Sequence, residues 1–271
     1  MNKLKMYKEE NWVQDELAWD ERAAQLQRNH PIKGLKTLPS MPGITEETAK
    51  GLKWKSFRYM LSHDHNWMIP KNFIKHPIRY TIGFFRSLLQ KKPFVRDGDF
   101  FLYNIGSENE FIEALEEENT LLVLGFSYCH KPHECPSKRF TPDCIRDPHH
   151  PVCGQCFIGK ALHMAPKEKT VPLIIPTIHY IGEKIFDVVH QNPGKKILFI
   201  ISACELTLEM FGDWGNMVGI RGIGIRLDGR ICNTMRAFEL SEEGTKPGLT
   251  VVTPPTQKRV LDLLKHRKYH V

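Results

Sequence analysis

Five of the seven cysteines fall between Cys129 and Cys156, in the stretch SYCHKPHECPSKRFTPDCIRDPHHPVCGQC, which also holds His130, His133, His149 and His150. Thiolate and imidazole are the soft-metal ligands among the side chains, so a window this dense in both reads as a metal or redox centre. The thiols are spaced Cys129-x5-Cys135-x8-Cys144-x8-Cys153-x2-Cys156. The two-residue gap of Cys153-Gly-Gln-Cys156 lets both sulfurs reach one ion around a tight turn, with Gly154 relieving that turn. A closed site takes four ligands. Cys129, Cys135, Cys153 and Cys156 supply them, with Cys144 or a histidine as alternates. Four thiolates suit structural zinc or a 4Fe–4S cluster, and spacing does not separate the two. A third chemistry is thiol redox at Cys153 and Cys156, ahead of the helical-looking FIGKALHMA, whose N-terminus would stabilise a thiolate. Five neighbouring cysteines favour metal over that reading.

The rest of the chain must position these groups. Its first residues lack the apolar run and cleavage site of a secretory leader, and no stretch approaches the ~20 apolar residues that span a bilayer. The expectation is a cytoplasmic protein without a transmembrane segment, where clustered thiols bind metal or do chemistry rather than form disulfides. Seven is also an odd count for a complete disulfide set. Phosphate-loop, nucleophile-elbow and zinc-protease signatures are missing. Gly219-Ile-Arg-Gly222-Ile-Gly224 superficially resembles a dinucleotide fingerprint, but it lies within an expected strand rather than opening a helix.

Residues 1–100 read as a helical, basic N-terminal arm: a helix over 15–27, the Pro/Gly-punctuated linker HPIKGLKTLPSMPG, a helix over 45–61 and another over 77–89. Between Lys53 and Arg96 stand ten basic residues against one acid, Asp64. The helix over 77–89 pairs an apolar stripe with Arg79, Arg86, Lys91 and Lys92, so it could meet a membrane or a partner, although packing on the protein's own core is the commoner fate. Residues 101–271 read as an α/β domain, a mainly parallel sheet flanked by helices, with the cysteine-rich, metal-binding loop 129–156 inserted. Cys129 follows the expected strand 121–127 and Cys204 the strand 196–203. Cys232 follows 223–227 through a short turn. Ligand sites of parallel sheets gather beyond the carboxyl ends of strands, so the three could face one crevice. Cys204 and Cys232 could equally be buried small hydrophobes. Glu205 and Glu209 share a helix face and could act as acid or base, with ordinary surface carboxylates as the default.

Three blocks together, YCHKPHECPSKR…CGQCFIG, ISACELTLEMF and GRICNTMRAFE, resemble the domain-of-unknown-function 116 family over roughly residues 115–240. The resemblance implies site roles for Cys129, Cys135, Cys153, Cys156, Cys204 and Cys232, with Asn233 and Thr234 as neighbours that touch a cofactor. Relatives often carry a cysteine three places before the Cys-Gly-x-Cys pair. Here that position is His150, with Cys144 further upstream. Many relatives also begin with a membrane segment that is not seen here.

The leading expectation is a cysteine-ligated metal protein, iron–sulfur favoured over zinc, with Cys204 and Cys232 as reactive thiols. It would serve redox or cofactor metabolism with a redox or metabolic partner. A second expectation is a zinc-stabilised module whose region 53–96 docks nucleic acid or an anionic membrane. A third leaves the metal purely structural and the active site elsewhere.

Overall fold

TLLVLGFS is apolar at nearly every position and buried at all but its last residue, Ser127, as a strand covered on both faces must be. The computed structural model describes residues 12–32, 43–64, 66–90, 92–166, 168–246 and 248–269. Most of the expected linker, and Lys91, lie outside them.

In chain order the elements are helices α1 (Trp12–Asn29), α2 (Glu46–Ala49), α3 (Leu52–Ser62), α4 (Met68–Lys75) and α5 (Pro77–Leu89), then strands β1 (Val95–Asp97) and β2 (Phe100–Tyr103). They continue with α6 (Glu108–Glu116), β3 (Thr120–Ser127), α7 (Pro151–Gln155), α8 (Phe157–Met164), β4 (Thr170–Ile175), α9 (Ile178–Gln191) and β5 (Lys196–Ala203). The chain closes with α10 (Glu205–Val218), β6 (Arg221–Arg226), the two-residue strand β7 (Asp228–Gly229), α11 (Met235–Glu242), its partner β8 (Thr250–Val251) and α12 (Pro254–Tyr269).

The main sheet has six strands in the order β1-β2-β6-β5-β3-β4. β6, β5, β3 and β4 run parallel, whereas β2 pairs antiparallel with both β6 and β1. Helices cover both faces. Leu122, Leu124, Phe126, Leu198 and Ile200 pack with α6, α8 and α12. Leu121, Val123, Phe199 and Ile201 face the other way, into a core shared with Tyr59 and Met60 of α3, Met68 and Ile69 of α4, α9 and α10.

The mainly parallel α/β architecture is as expected. The helix expected over 45–61 is two helices, because Gly51 takes a left-handed conformation (φ 69°) between them. The hairpin β1-β2 straddles residue 100. Its strands are too short to carry a period, yet Phe100 to Tyr103 are fully buried beside β6. The glycines of GIRGIG stand inside β6. A Cβ at Gly222 would come within 2.1 Å of the Phe199 carbonyl oxygen, so glycine there permits close strand approach rather than cradling phosphate.

Candidate active site: a thiol crevice beside a four-cysteine loop

By chain order the four parallel strands read second, first, third, fourth across the sheet. The chain therefore leaves β3 to one side for β4 and later returns on the other side as β5. Beyond the carboxyl ends of two such neighbours a crevice opens, since their connections depart in opposite directions. Cys129 lies in the short 3-10 turn that follows β3, and Cys204 immediately follows β5. Cys232 precedes α11, and the three cysteines line one small cavity of about 30 Å³ together with Ser202, Thr207 and Glu242.

The sulfurs here are not equivalent. Cys204 hydrogen bonds to Cys232. The buried Lys246 ammonium lies 3.2 Å from Cys232 Sγ. The hydrogen bond from Cys204, joined by Lys246, holds Cys232 well below the ordinary thiol range against the cost of burial. Cys204 is pushed up correspondingly, by that same bond and by burial, with Thr207 Oγ1 3.1 Å from its sulfur. Ala237 O also approaches Cys232 at 3.5 Å, a contact that would favour the thiol. The shorter and charged partner dominates. Of the two thiols, Cys232, with the Lys246 ammonium beside it, is the more readily ionised. Burial raises the third thiol, Cys129, although Lys246 pulls the other way.

Glu242 forms the wall between this cavity and an open cleft of about 370 Å³ lined by Tyr59, His63, Thr177, His179 and Glu239 among others. Its Oε2 accepts the Ile178 N–H at the start of α9, 2.8 Å away. Burial nonetheless lifts its pKa to about 8, with the negative charge at Cys232 adding to the rise. At neutral pH Glu242 holds its proton beside a thiolate.

The other four cysteines form a second group. Cys135, Cys144, Cys153 and Cys156 lie close enough for charge on one to bear on the others. Two buried cations fold this loop. Lys131 donates to the carbonyls of Lys138, Thr141 (3.1 Å) and Asp143 (3.0 Å). The Arg139 guanidinium donates to the carbonyls of Lys246 (2.8 Å), Cys129 (3.3 Å) and Gly248, tying the loop to the crevice. Burial pushes Cys153 up to about 12 and Cys156 up to about 11. Cys156 does receive backbone N–H groups of Ile158 and Gly159 at the start of α8, but desolvation outweighs them. Without a bound cation Cys153 and Cys156 are thiols and poor nucleophiles. Among the described residues, no three His, Cys, Asp or Glu side chains are arranged to hold a metal ion.

The structure therefore separates residues that spacing grouped together. Cys129 belongs with Cys204 and Cys232, and Cys144 with the other loop thiols. The Cys153–Cys156 gap is a short helix, α7, and not a tight turn. Gly154 makes room for Leu26 of α1, whose Cδ1 would stand 2.3 Å from a Cβ there. His150 caps that helix, its Nδ1 accepting the Val152 N–H at 3.2 Å. His130 is buried against Phe157, and desolvation pushes its pKa down to about 4. Thr234 caps α11 through the Ala237 N–H, while the Asn233 carbonyl receives the Thr45 N–H. Glu205 is engaged by Arg96 at 2.8 Å. Lys131, Arg139, Glu242 and Lys246 escaped sequence reasoning. A lysine or arginine between cysteines carries no spacing signal, and only its burial marks it out.

No family model, curated protein or solved structure matches this chain.

Proposed function

We propose that this chain is a cysteine-centred redox protein with two parts: a reactive dithiol in the strand-end crevice and a neighbouring loop that takes a thiolate-ligated metal. The partition of the seven cysteines into Cys129/Cys204/Cys232 and Cys135/Cys144/Cys153/Cys156 carries the reading.

In the crevice Cys232 is the nucleophile. Its thiolate attacks one sulfur of a disulfide substrate, forming a mixed disulfide and releasing the other half as a thiolate. Glu242, protonated at neutral pH, gives the departing thiolate its proton. Cys204, losing its own proton, then attacks Cys232 Sγ, closes the Cys204–Cys232 disulfide and releases the second thiol. The substrate gains two electrons and two protons, and the protein's dithiol is oxidised. Lys246 keeps Cys232 ionised, and Arg139 positions Lys246 through its backbone.

For the loop, donor chemistry supports metal: four sulfurs and the buried Lys131 cation to offset thiolate charge. Cys135, Cys144, Cys153 and Cys156 would hold an iron–sulfur cluster, the favoured occupant, or zinc, once their side chains turn inward from an arrangement in which no three are set to ligate one ion. A cluster would supply electrons to reduce the crevice disulfide.

Anaerobic purification with iron, sulfide and zinc analysis tests the loop. Iron and sulfide lost in Cys153→Ser but retained in Cys204→Ser is the expected result. Absence of all three elements sinks the metal reading, and stoichiometric zinc alone sinks the cluster. Alkylation mapped by mass spectrometry tests the crevice, where Cys232 should react first at pH 6.

A further inference from the structure

Helix α5 is apolar on two opposite sides. One is occupied: Tyr80 and Ser87 are buried, and Ser87 Oγ donates to the Asp213 carbonyl of α10 at 2.6 Å. On the other, Ile78, Ile82, Phe85 and Leu89 recur at i, i+4, i+7 and i+11, a single stripe on a helix. Ile74, at the end of α4, stands at the same spacing before them. These five side chains are between 58 and 87% exposed. Lys71, Lys75, Arg79 and Arg86 are exposed beside them. The single acid between Lys53 and Arg96, Asp64, has both carboxylate oxygens engaged by the Met68 and Ile69 N–H groups at the start of α4.

A contiguous exposed apolar stripe of this kind marks a contact surface. We propose that α5 with the end of α4 seats this protein on an anionic lipid bilayer. The Ile/Phe/Leu stripe enters the headgroup–acyl boundary, and Lys75, Arg79 and Arg86 meet lipid phosphates. Charge decides the occupant. A second copy docked through the same stripe would set Arg79 and Arg86 against their own equivalents. Nucleic acid would satisfy the cations but leave the stripe in water. An anionic bilayer matches both features, and a single helix lying in the interface plane can use them together. This docking stands independently of the thiol chemistry.

Co-sedimentation of the full chain with phosphatidylcholine vesicles, alone or mixed with phosphatidylglycerol, tests the proposal. The expected result is about tenfold or greater preference for the mixed vesicles, weakened by salt. Arg79→Glu/Arg86→Glu should reduce that partitioning about tenfold or more. Ile82→Asp/Phe85→Asp should abolish it while leaving the far-ultraviolet circular dichroism unchanged, because both side chains are exposed. Failure to bind mixed vesicles, or binding indifferent to Ile82→Asp/Phe85→Asp, overturns the proposal. So does retention on single-stranded RNA in place of vesicles, or a concentration-dependent dimer that Ile82→Asp/Phe85→Asp disrupts.

Discussion

Cys232 and Cys153 are both buried thiols of one chain, and their surroundings push them in opposite directions. At Cys153 desolvation acts with little opposition and lifts the pKa to about 12. At Cys232 a donated hydrogen bond and the Lys246 ammonium outweigh desolvation. The cation at 3.2 Å is therefore the readiest handle on reactivity. Replacing it in Lys246→Met should raise the Cys232 pKa and move the pH profile of iodoacetamide alkylation to higher pH. At pH 6 the rate should fall by about tenfold for each unit by which the raised pKa exceeds 6. Thiolate is present above the lowered pKa and lost as pH falls through it, so the two proteins should converge at alkaline pH. Equal rates at pH 6 would remove Lys246 from the account. Types and spacing single out every cysteine in this comparison, but not which is ionised. That depends on a lysine fourteen positions downstream.

At the scale of elements, Glu242 joins the end of α11 to the start of α9 through the Ile178 N–H. Its pKa rises from 4.5 to about 8 in the folded chain, chiefly through burial. Between those values the folded protein keeps a proton that the unfolded chain has released, so stability falls as pH climbs from about 4.5 toward 8. Glu242→Gln keeps the acceptor and removes the charge. It should be more stable than wild type by about 1 kcal/mol or more at pH 8.5, after allowance for partial exposure. The gain should shrink to nothing near pH 4.5, as read from urea midpoints. The β5–β6 contact sets a second expectation. A methyl at Gly222 would meet the Phe199 backbone at 2.1 Å, and backbone yields less readily than a side-chain tip. Gly222→Ala should cost about 2–3 kcal/mol, a loss visible in the denaturant midpoint without any change in Cys232 alkylation chemistry. The strong elements were legible because long buried strands and amphipathic helices declare a period. β1, β2, α4 and α11 were not, being short and held by what packs on them.

At the scale of the whole molecule, the cysteine groups are neighbours because the Tyr128–Asp147 segment leaves the crevice and is folded back by Lys131 and Arg139. Serine replacements should divide accordingly. Cys135→Ser, Cys144→Ser, Cys153→Ser and Cys156→Ser should each lower metal content at least severalfold. Cys129→Ser, Cys204→Ser and Cys232→Ser should retain it, as measured by elemental analysis of anaerobically purified protein. Loss of metal in Cys129→Ser with retention in Cys144→Ser would restore the grouping that spacing alone suggests. No helix among the described residues is long and apolar enough to cross a membrane, so an association with lipid through α5 would lie in the interface.

An α/β chain with a mainly parallel sheet follows from local pattern, since the 3.6-residue and continuous-apolar periods that build it are local. Local pattern also places Cys129, Cys204 and Cys232 at strand ends, because a strand's end can be read from where its apolar run stops. Long-range packing, not local pattern, brings these three to one cavity and sets Cys144 with the loop thiols. It alone set Lys246 and Glu242 beside the reactive sulfur and left one side of α5 uncovered. Strand order and burial are long-range properties, and thiol ionisation and the fate of an amphipathic face both follow from them.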